Sequence, residues 1–230
     1  MTFEDARRLT EILLAVAVGQ QALEHLAGPD PYRWRFAAQV VLALAVVAGI
    51  WPIATLGLLL LLGLDALRHF HGPYNGGSDR MRLLVLGCLV LSHVAPTAAW
   101  ARVALGYLAV QVVLSYALAG WVKLANPGWR NGQALTDVFA FSVYPVSERL
   151  RAWADAPRTM RGLGWVTVAF EILFPLALLD ATLLRLALGM ALIFHLGNAF
   201  VFGLNRFVWV WVAGYPSLLW FQQALVTGMP

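Results

Sequence analysis

Four polar groups in an otherwise apolar chain carry the chemistry that this sequence can perform: Lys123, Glu171, His195 and Asn198. Lys123 is the only lysine, the other fifteen of the sixteen lysine and arginine residues being arginines. It follows Tyr116-Ala117-Leu118-Ala119-Gly120-Trp121-Val122 at the end of a strongly apolar run. A lysine held away from water can give up its proton, because desolvation disfavours the ammonium form, and can then act as a general base. The competing reading is a lysine at a helix end whose ammonium snorkels to the headgroups. Glu171 stands near the middle of a second apolar run, Trp165 to Pro175. It can neutralise Lys123 or carry a proton, or form a structural ion pair with an arginine or lysine. His195 and Asn198 are three residues apart and share a helix face. An imidazole and an amide so placed can hold and orient a polar ligand, or simply bond one membrane helix to another. Gln111, Ser115, Ser92 and His93 are lesser instances of the same kind. A charged group inside a span costs ~3 kcal/mol on insertion scales, so each marks a candidate functional site.

No metal centre is expected. Asp65 and His69 have an i, i+4 spacing with His71 nearby, but two histidines and one carboxylate at a span end fall short of a defined ligand set. The segment Gly72 to Arg80 is a glycine-rich turn without the Gly-Lys-Ser/Thr ending of a phosphate-binding loop. Cys88 is the sole cysteine and has no internal disulfide partner.

The elements that must position these groups follow from composition. The 230 residues are 60% hydrophobic and 12% charged, with a mean hydropathy of +0.72. A soluble domain is nearer half apolar and about a quarter charged. This balance excludes an ordinary soluble domain, a disordered chain and a disulfide scaffold. The net charge of +4 does not point to nucleic acid, because the basic residues sit between apolar blocks. No cleavable signal peptide is evident: Glu4, Asp5, Arg7 and Arg8 open the chain, and Glu11, Gln20, Gln21, Glu24 and His25 interrupt the apolar stretch behind them. The expected fold is all-α, a polytopic membrane bundle of seven or eight spans forming a single domain over residues 1–230.

A span needs about 20 mostly apolar residues. The pattern predicts spans at 10–27, 36–51, 53–67, 83–100, 103–124, 162–179, 182–203 and 206–224. The second and third are either two short spans or one helix kinked at Pro52. With eight spans, eleven arginines fall on one side and four (Arg7, Arg8, Arg102 and Arg185) on the other. Merging the second and third spans leaves the same ratio. The richer side is expected to be cytoplasmic and includes the 125–161 linker. That linker opens on the turn signal Asn126-Pro127-Gly128-Trp129. It is expected to form two interfacial helices, Gln133–Val143 and a second running from a Ser147 cap through Trp153, separated by Tyr144-Pro145. Trp129, Phe139, Phe141 and Trp153 suit headgroup level. The linker serves either packing alone or substrate gating.

These segments resemble the HTTM family, the membrane domain shared with vitamin K-dependent gamma-carboxylase. Three places carry the resemblance: Ala119-Gly120-Trp121-Val122-Lys123-Leu124 with Trp129, Gly132 and Leu135; Phe194-His195-Leu196-Gly197-Asn198 with Phe207 and Pro216; and Tyr74-Asn75-Gly76-Gly77-Ser78. Their order and separation extend the similarity over roughly residues 5–225, as in short bacterial members. The resemblance implies that Lys123 is a catalytic base acting on a quinol, in redox-linked or carboxylase-like (lyase) chemistry. It places His195 in the same membrane cavity as a second catalytic group. It implies a quinone or hydroquinone as lipophilic ligand, with Asn198, Glu171 and Trp129 around it. It also implies the bacterial inner membrane and a thiol-disulfide oxidoreductase-like or other redox partner. The carboxylase's large extra-membrane domain and its asparagine–histidine pair have no clear counterpart here. The carboxylase works on the lumenal side, whereas the arginine bias directs the Lys123 end to the cytoplasm. The run Ala-Gly-x-x-Lys-Leu and the later Phe-Glu-Ile-Leu-Phe-Pro also resemble the DoxX/MauE group of four-helix proteins, which eight spans fit poorly. Three functions therefore stand together: a quinol-linked enzyme, a non-catalytic membrane subunit for a redox partner, and a small-solute transporter. Inverted repeats would favour the last, and none is evident.

Overall fold

The computed structural model describes residues 1–29, 32–68, 76–141 and 148–228. His69, His71, Gly72 to Asn75, Tyr144-Pro145 and the Ser147 cap lie outside the described residues. Every described element is helical: α1 (Phe3–Ala27), α2 (Arg33–Ala48), α3 (Pro52–Arg68), α4 (Gly76–Val94), α5 (Ala98–Ala125), α6 (Pro127–Asn131), α7 (Gln133–Phe141), α8 (Glu148–Arg151), α9 (Pro157–Leu173), α10 (Ala181–Phe202) and α11 (Asn205–Thr227). Short 3-10 turns follow α8 (Ala152–Asp155) and α9 (Phe174–Leu179).

Local chemistry sets the boundaries. Thr2 and Asp5 form a reciprocal capping box that starts α1. Gly49 ends α2 in the left-handed conformation, and Trp51 (φ 42) follows in the same region. Pro52 then opens α3 at the position where its missing N–H is harmless. Two separate helices therefore stand where one kinked helix was the alternative. The expected span 83–100 is corrected: the chain breaks at Ala95-Pro96-Thr97, because Pro96 cannot donate to the helical ladder. Pro175 likewise follows the end of α9, and the chain continues as 3-10 turn.

The chain divides into two compact units, residues 1–110 with 206–230, and residues 111–205. In the first, α1 packs against α2 and α4, and α3 against α2 and α4. Leu14, Val18 and Ala22 of α1 are buried with Val85 and Leu89 of α4. In the second, α6 and α7 pack on α9. Leu135, Phe139 and Met160 form a small core there, joined by Trp129, Ala154, Val201 and Phe202.

Large apolar side chains cover the outside, among them Val41, Leu44, Leu61, Val122, Ile193 and Phe200. A surface of this kind would aggregate in water and suits lipid. Among the described residues, three helical segments are long and apolar enough to cross a bilayer: α5, α9 with its 3-10 extension to Leu179, and α10. α2 and α3 have 16 and 17 residues, so each rises only about 25 Å against a hydrocarbon core of about 30 Å.

The linker agrees in outline. α7 covers Gln133–Phe141, and α8 with its 3-10 turn covers Glu148–Asp155. Phe139 is buried, edge-on to Phe202 with ring centroids 5.0 Å apart. Phe141 is exposed and Trp153 about half exposed.

Candidate functional site

The second unit brings Lys123 and Glu171 into direct contact. The Lys123 Nζ donates to Glu171 Oε1 at 2.7 Å and to Oε2 at 2.6 Å. The Glu171 side chain is 4% exposed and that of Lys123 18% exposed, so the pair sits at the edge of the apolar interior. Gly120 makes the contact possible. A Cβ there would lie 2.8 Å from the Ile172 backbone nitrogen and 2.9 Å from the Glu171 Cβ. Only glycine lets α9 approach α5 so closely. The Trp129 ring covers the ammonium, with Nζ 5.2 Å from the ring centroid. Trp129 belongs to α6, which starts where the Asn126 side chain caps Gly128 N–H and stops at Gly132. Gly132 has φ +91 and faces the Arg161 backbone, where a Cβ would come within 2.8 Å. The Trp165 indole N–H donates to the Arg130 carbonyl at 3.2 Å and fastens α6 to α9.

His195 is buried and bonded to the Tyr116 hydroxyl, with 2.8 Å between Oη and Nε2. Tyr116 lies seven residues before Lys123 on α5, two turns along the same face. Its ring stacks on Phe174 at 4.1 Å and meets Phe170 edge-on at 5.8 Å. Phe194 closes against Phe170 at 5.9 Å. Two clusters result, Lys123–Glu171–Trp129 and Tyr116–His195 with its phenylalanines, joined through the shared faces of α5 and α9. Asn198 is half-buried one turn past His195, and its backbone carbonyl accepts from Gly203 and Leu204 in the cap of α10.

Tyr116 was not singled out as a site residue from the sequence. The signal was its i, i+7 relation to Lys123, with Gly120 between. Tyr116→Phe is expected to lower stability by about 1–3 kcal/mol, because it leaves a buried imidazole nitrogen without its hydroxyl. Thermal unfolding in detergent measures it.

Polar groups are also paired inside the first unit. His93 Nε2 lies 2.7 Å from Glu11 Oε1, and Arg8 donates to Glu11 Oε2 at 2.9 Å. Gln21 donates to Asp79 Oδ1 at 2.9 Å and accepts from Arg82 at 2.8 Å. The sequence reading placed Arg82 in a linker before a span at 83. That is corrected: α4 begins at Gly76, and Arg82 is buried at 4% exposure beside Asp79. A hydropathy window excludes a charge that only a distant partner can satisfy. Arg206, the first residue of the expected span 206–224, donates to Glu24 at 2.8 Å. Among the described residues no cluster of three histidine, cysteine, aspartate or glutamate side chains could hold a metal.

Asp180 caps α10, accepting from Thr182 N–H at 2.8 Å and Leu183 N–H at 3.0 Å. These backbone bonds lower its pKa below the ordinary value. A carboxyl depressed by folding contributes stability at neutral pH and loses it as pH falls through the folded-state pKa. Asp180→Ala is expected to lower the melting temperature at pH 7, with the gap from wild type narrowing below pH about 4. Melting curves across pH in detergent give the result.

A family model described as the HTTM domain matches residues 92–223, which include Lys123, Glu171, His195 and Asn198. No curated protein and no solved structure matches the chain.

Proposed function

This chain belongs to the HTTM domain family, and from that premise we propose that it is an integral membrane protein binding a quinol-sized lipophilic ligand, with Lys123 as proton acceptor and Glu171 as its proton partner. The observation that carries the reading is the bidentate Lys123–Glu171 contact, covered by Trp129 at the end of an apolar bundle. With the carboxylate 2.6 Å away, one proton can move between the two groups without either leaving the apolar site. Lysine becomes the neutral base when Glu171 takes that proton. The quinol hydroxyl then gives its proton to Lys123, and the Tyr116–His195 pair offers a hydrogen bond to the developing oxyanion. Asn198 orients the ligand. The single HTTM-like domain over 1–230, the eight-span topology with the linker on the cytoplasmic side, and the bacterial inner membrane belong to the same proposal.

A second reading rests on its own observation. Phe141 and Trp153 stand exposed on the linker at 76% and 48%, a surface fit for docking a redox partner, in which case the polar pair is structural.

Lipid extraction of detergent-purified protein followed by mass spectrometry tests the first reading. A quinone enriched with wild type and lost from His195→Ala is the expected result. Lys123→Arg is then expected to keep the fold and the ligand while abolishing turnover, because a guanidinium holds the Glu171 charge but does not deprotonate. Bulk phospholipid alone in both samples would turn the assignment to the docking subunit.

A further inference from the structure

In the second unit, α6 and the start of α9 bring three arginines to one place. Arg158 and Arg161 are three residues apart at the start of α9 and so share a face. Trp165 continues that face one turn on, and its indole N–H donates to the Arg130 carbonyl at 3.2 Å. Gly132 backs directly onto the Arg161 backbone, where a Cβ would come within 2.8 Å. α6 is thereby held against the first turns of α9, which sets Arg130 beside the two arginines of that helix. All three arginines are exposed. None of them enters an ion pair among the described residues. The described carboxylates nearest to them in the chain, Asp137 of α7 and Asp155 of the 3-10 turn before α9, pair with none of them, and Asp137 accepts instead from Gln133 at 2.7 Å. Arg158 also stands in the first turn of α9, where the helix dipole disfavours a cation and no acidic residue offsets it.

What lies beyond the arginines decides the kind of anion. α9 runs on as one of the apolar segments long enough to cross a bilayer, and Leu163, Trp165 and Val166 are exposed just past Arg161. Three cations therefore stand where a surface suited to lipid begins, with an indole ring at the boundary. Tryptophan favours the headgroup level of a bilayer. A soluble acidic segment or a free anion would match the charge but not the apolar rim. We propose that Arg130, Arg158, Arg161 and Trp165 form a binding site for the headgroup of an anionic phospholipid. The phosphate oxygens accept from the guanidinium groups, whose planar paired donors suit a phosphate, and the acyl chains run along Leu163 and Val166. The lipid's charge also offsets the cation at the positive end of the α9 dipole. A zwitterionic headgroup carries its own cation, which the arginines repel. The site does not depend on the chemistry at Lys123.

Native mass spectrometry of the full chain in detergent, with phosphatidylglycerol or phosphatidylcholine of the same acyl chains added, tests the site. Wild type is expected to retain phosphatidylglycerol about tenfold better. Arg130→Gln, Arg158→Gln and Arg161→Gln together are expected to bring the two lipids to within about twofold of each other. Each single substitution is expected to reduce the preference about twofold, which keeps the test open should the triple variant fold poorly. A matched variant with Arg33→Gln, Arg80→Gln and Arg185→Gln, three other exposed arginines, removes the same charge and is expected to keep the preference. Equal retention of the two lipids by wild type overturns the assignment. So does an equal loss in the matched variant, which would reduce the effect to net charge. Full displacement of phosphatidylglycerol by millimolar inorganic phosphate also overturns it, making this a site for a free anion.

Discussion

Lys123→Ala is expected to destabilise the protein by about 3–5 kcal/mol, because it leaves the Glu171 carboxylate buried without its counter-charge. Glu171→Ala has a similar cost from the other side, moderated because Lys123 is partly exposed and can turn toward water. The double variant Lys123→Met with Glu171→Leu is expected to recover most of the loss, since matched apolar groups of similar volume replace a buried pair at little cost. Guanidinium or thermal unfolding in detergent, taken as a double-mutant cycle, gives the coupling directly. The cycle also separates the two functional readings. A recovered fold that retains quinone but has no turnover favours the base mechanism. A recovered fold with intact partner binding favours the docking subunit, in which the pair is structural only.

Gly120→Val is expected to be comparably severe. Its Cβ would come within 2.8 Å of the Ile172 backbone nitrogen, and a backbone atom cannot swing aside as a flexible side chain can. Relieving the overlap requires α5 and α9 to separate, which costs about 1–3 kcal/mol for the overpacking itself and more for the lost Lys123–Glu171 contact. Gly120→Ala meets the same atoms with less bulk and is expected to fall between wild type and valine. Gly189, on α10, has nothing within 4 Å of its Cβ position, so Gly189→Ala serves as the control and is expected to be neutral or slightly stabilising. Yield of folded protein in gel filtration and the thermal midpoint measure both. If Gly120→Val leaves the midpoint unchanged, the close approach of the two helices is wrong.

Much of the site was legible because charge is rare in this chain. A lone lysine, a glutamate inside an apolar run and a histidine with an asparagine on one face stand out wherever the surroundings must be apolar. The pairing of Lys123 with Glu171 was one alternative among several, and 48 residues separate the partners. No periodicity links two helices, so only packing selects which carboxylate meets which cation. Tyr116 was hidden for the opposite reason. A tyrosine in an apolar span is ordinary until a histidine from α10 is found 2.8 Å from its hydroxyl. Arg82 was misplaced because a window average treats charge as a boundary, whereas Gln21 and Asp79 satisfy it inside the bundle.

The sequence by itself determined the class and the punctuation. Apolar runs of helical length specify a membrane bundle, and Gly49, Pro52, Pro96, Asp180 and Gly203 start or stop helices through φ, missing donors and caps that act over a few residues. The HTTM motif is also local: Gly120 and Lys123 are one turn apart, as are His195 and Asn198. The tertiary structure alone decided what those residues face. It closed α9 onto α5 at Gly120, turned Glu171 to Lys123, brought Trp129 over the ammonium and gave His195 a tyrosine. Such contacts depend on the shape of one helix against another, and each buried charge is tolerated only after a partner from elsewhere in the chain has arrived.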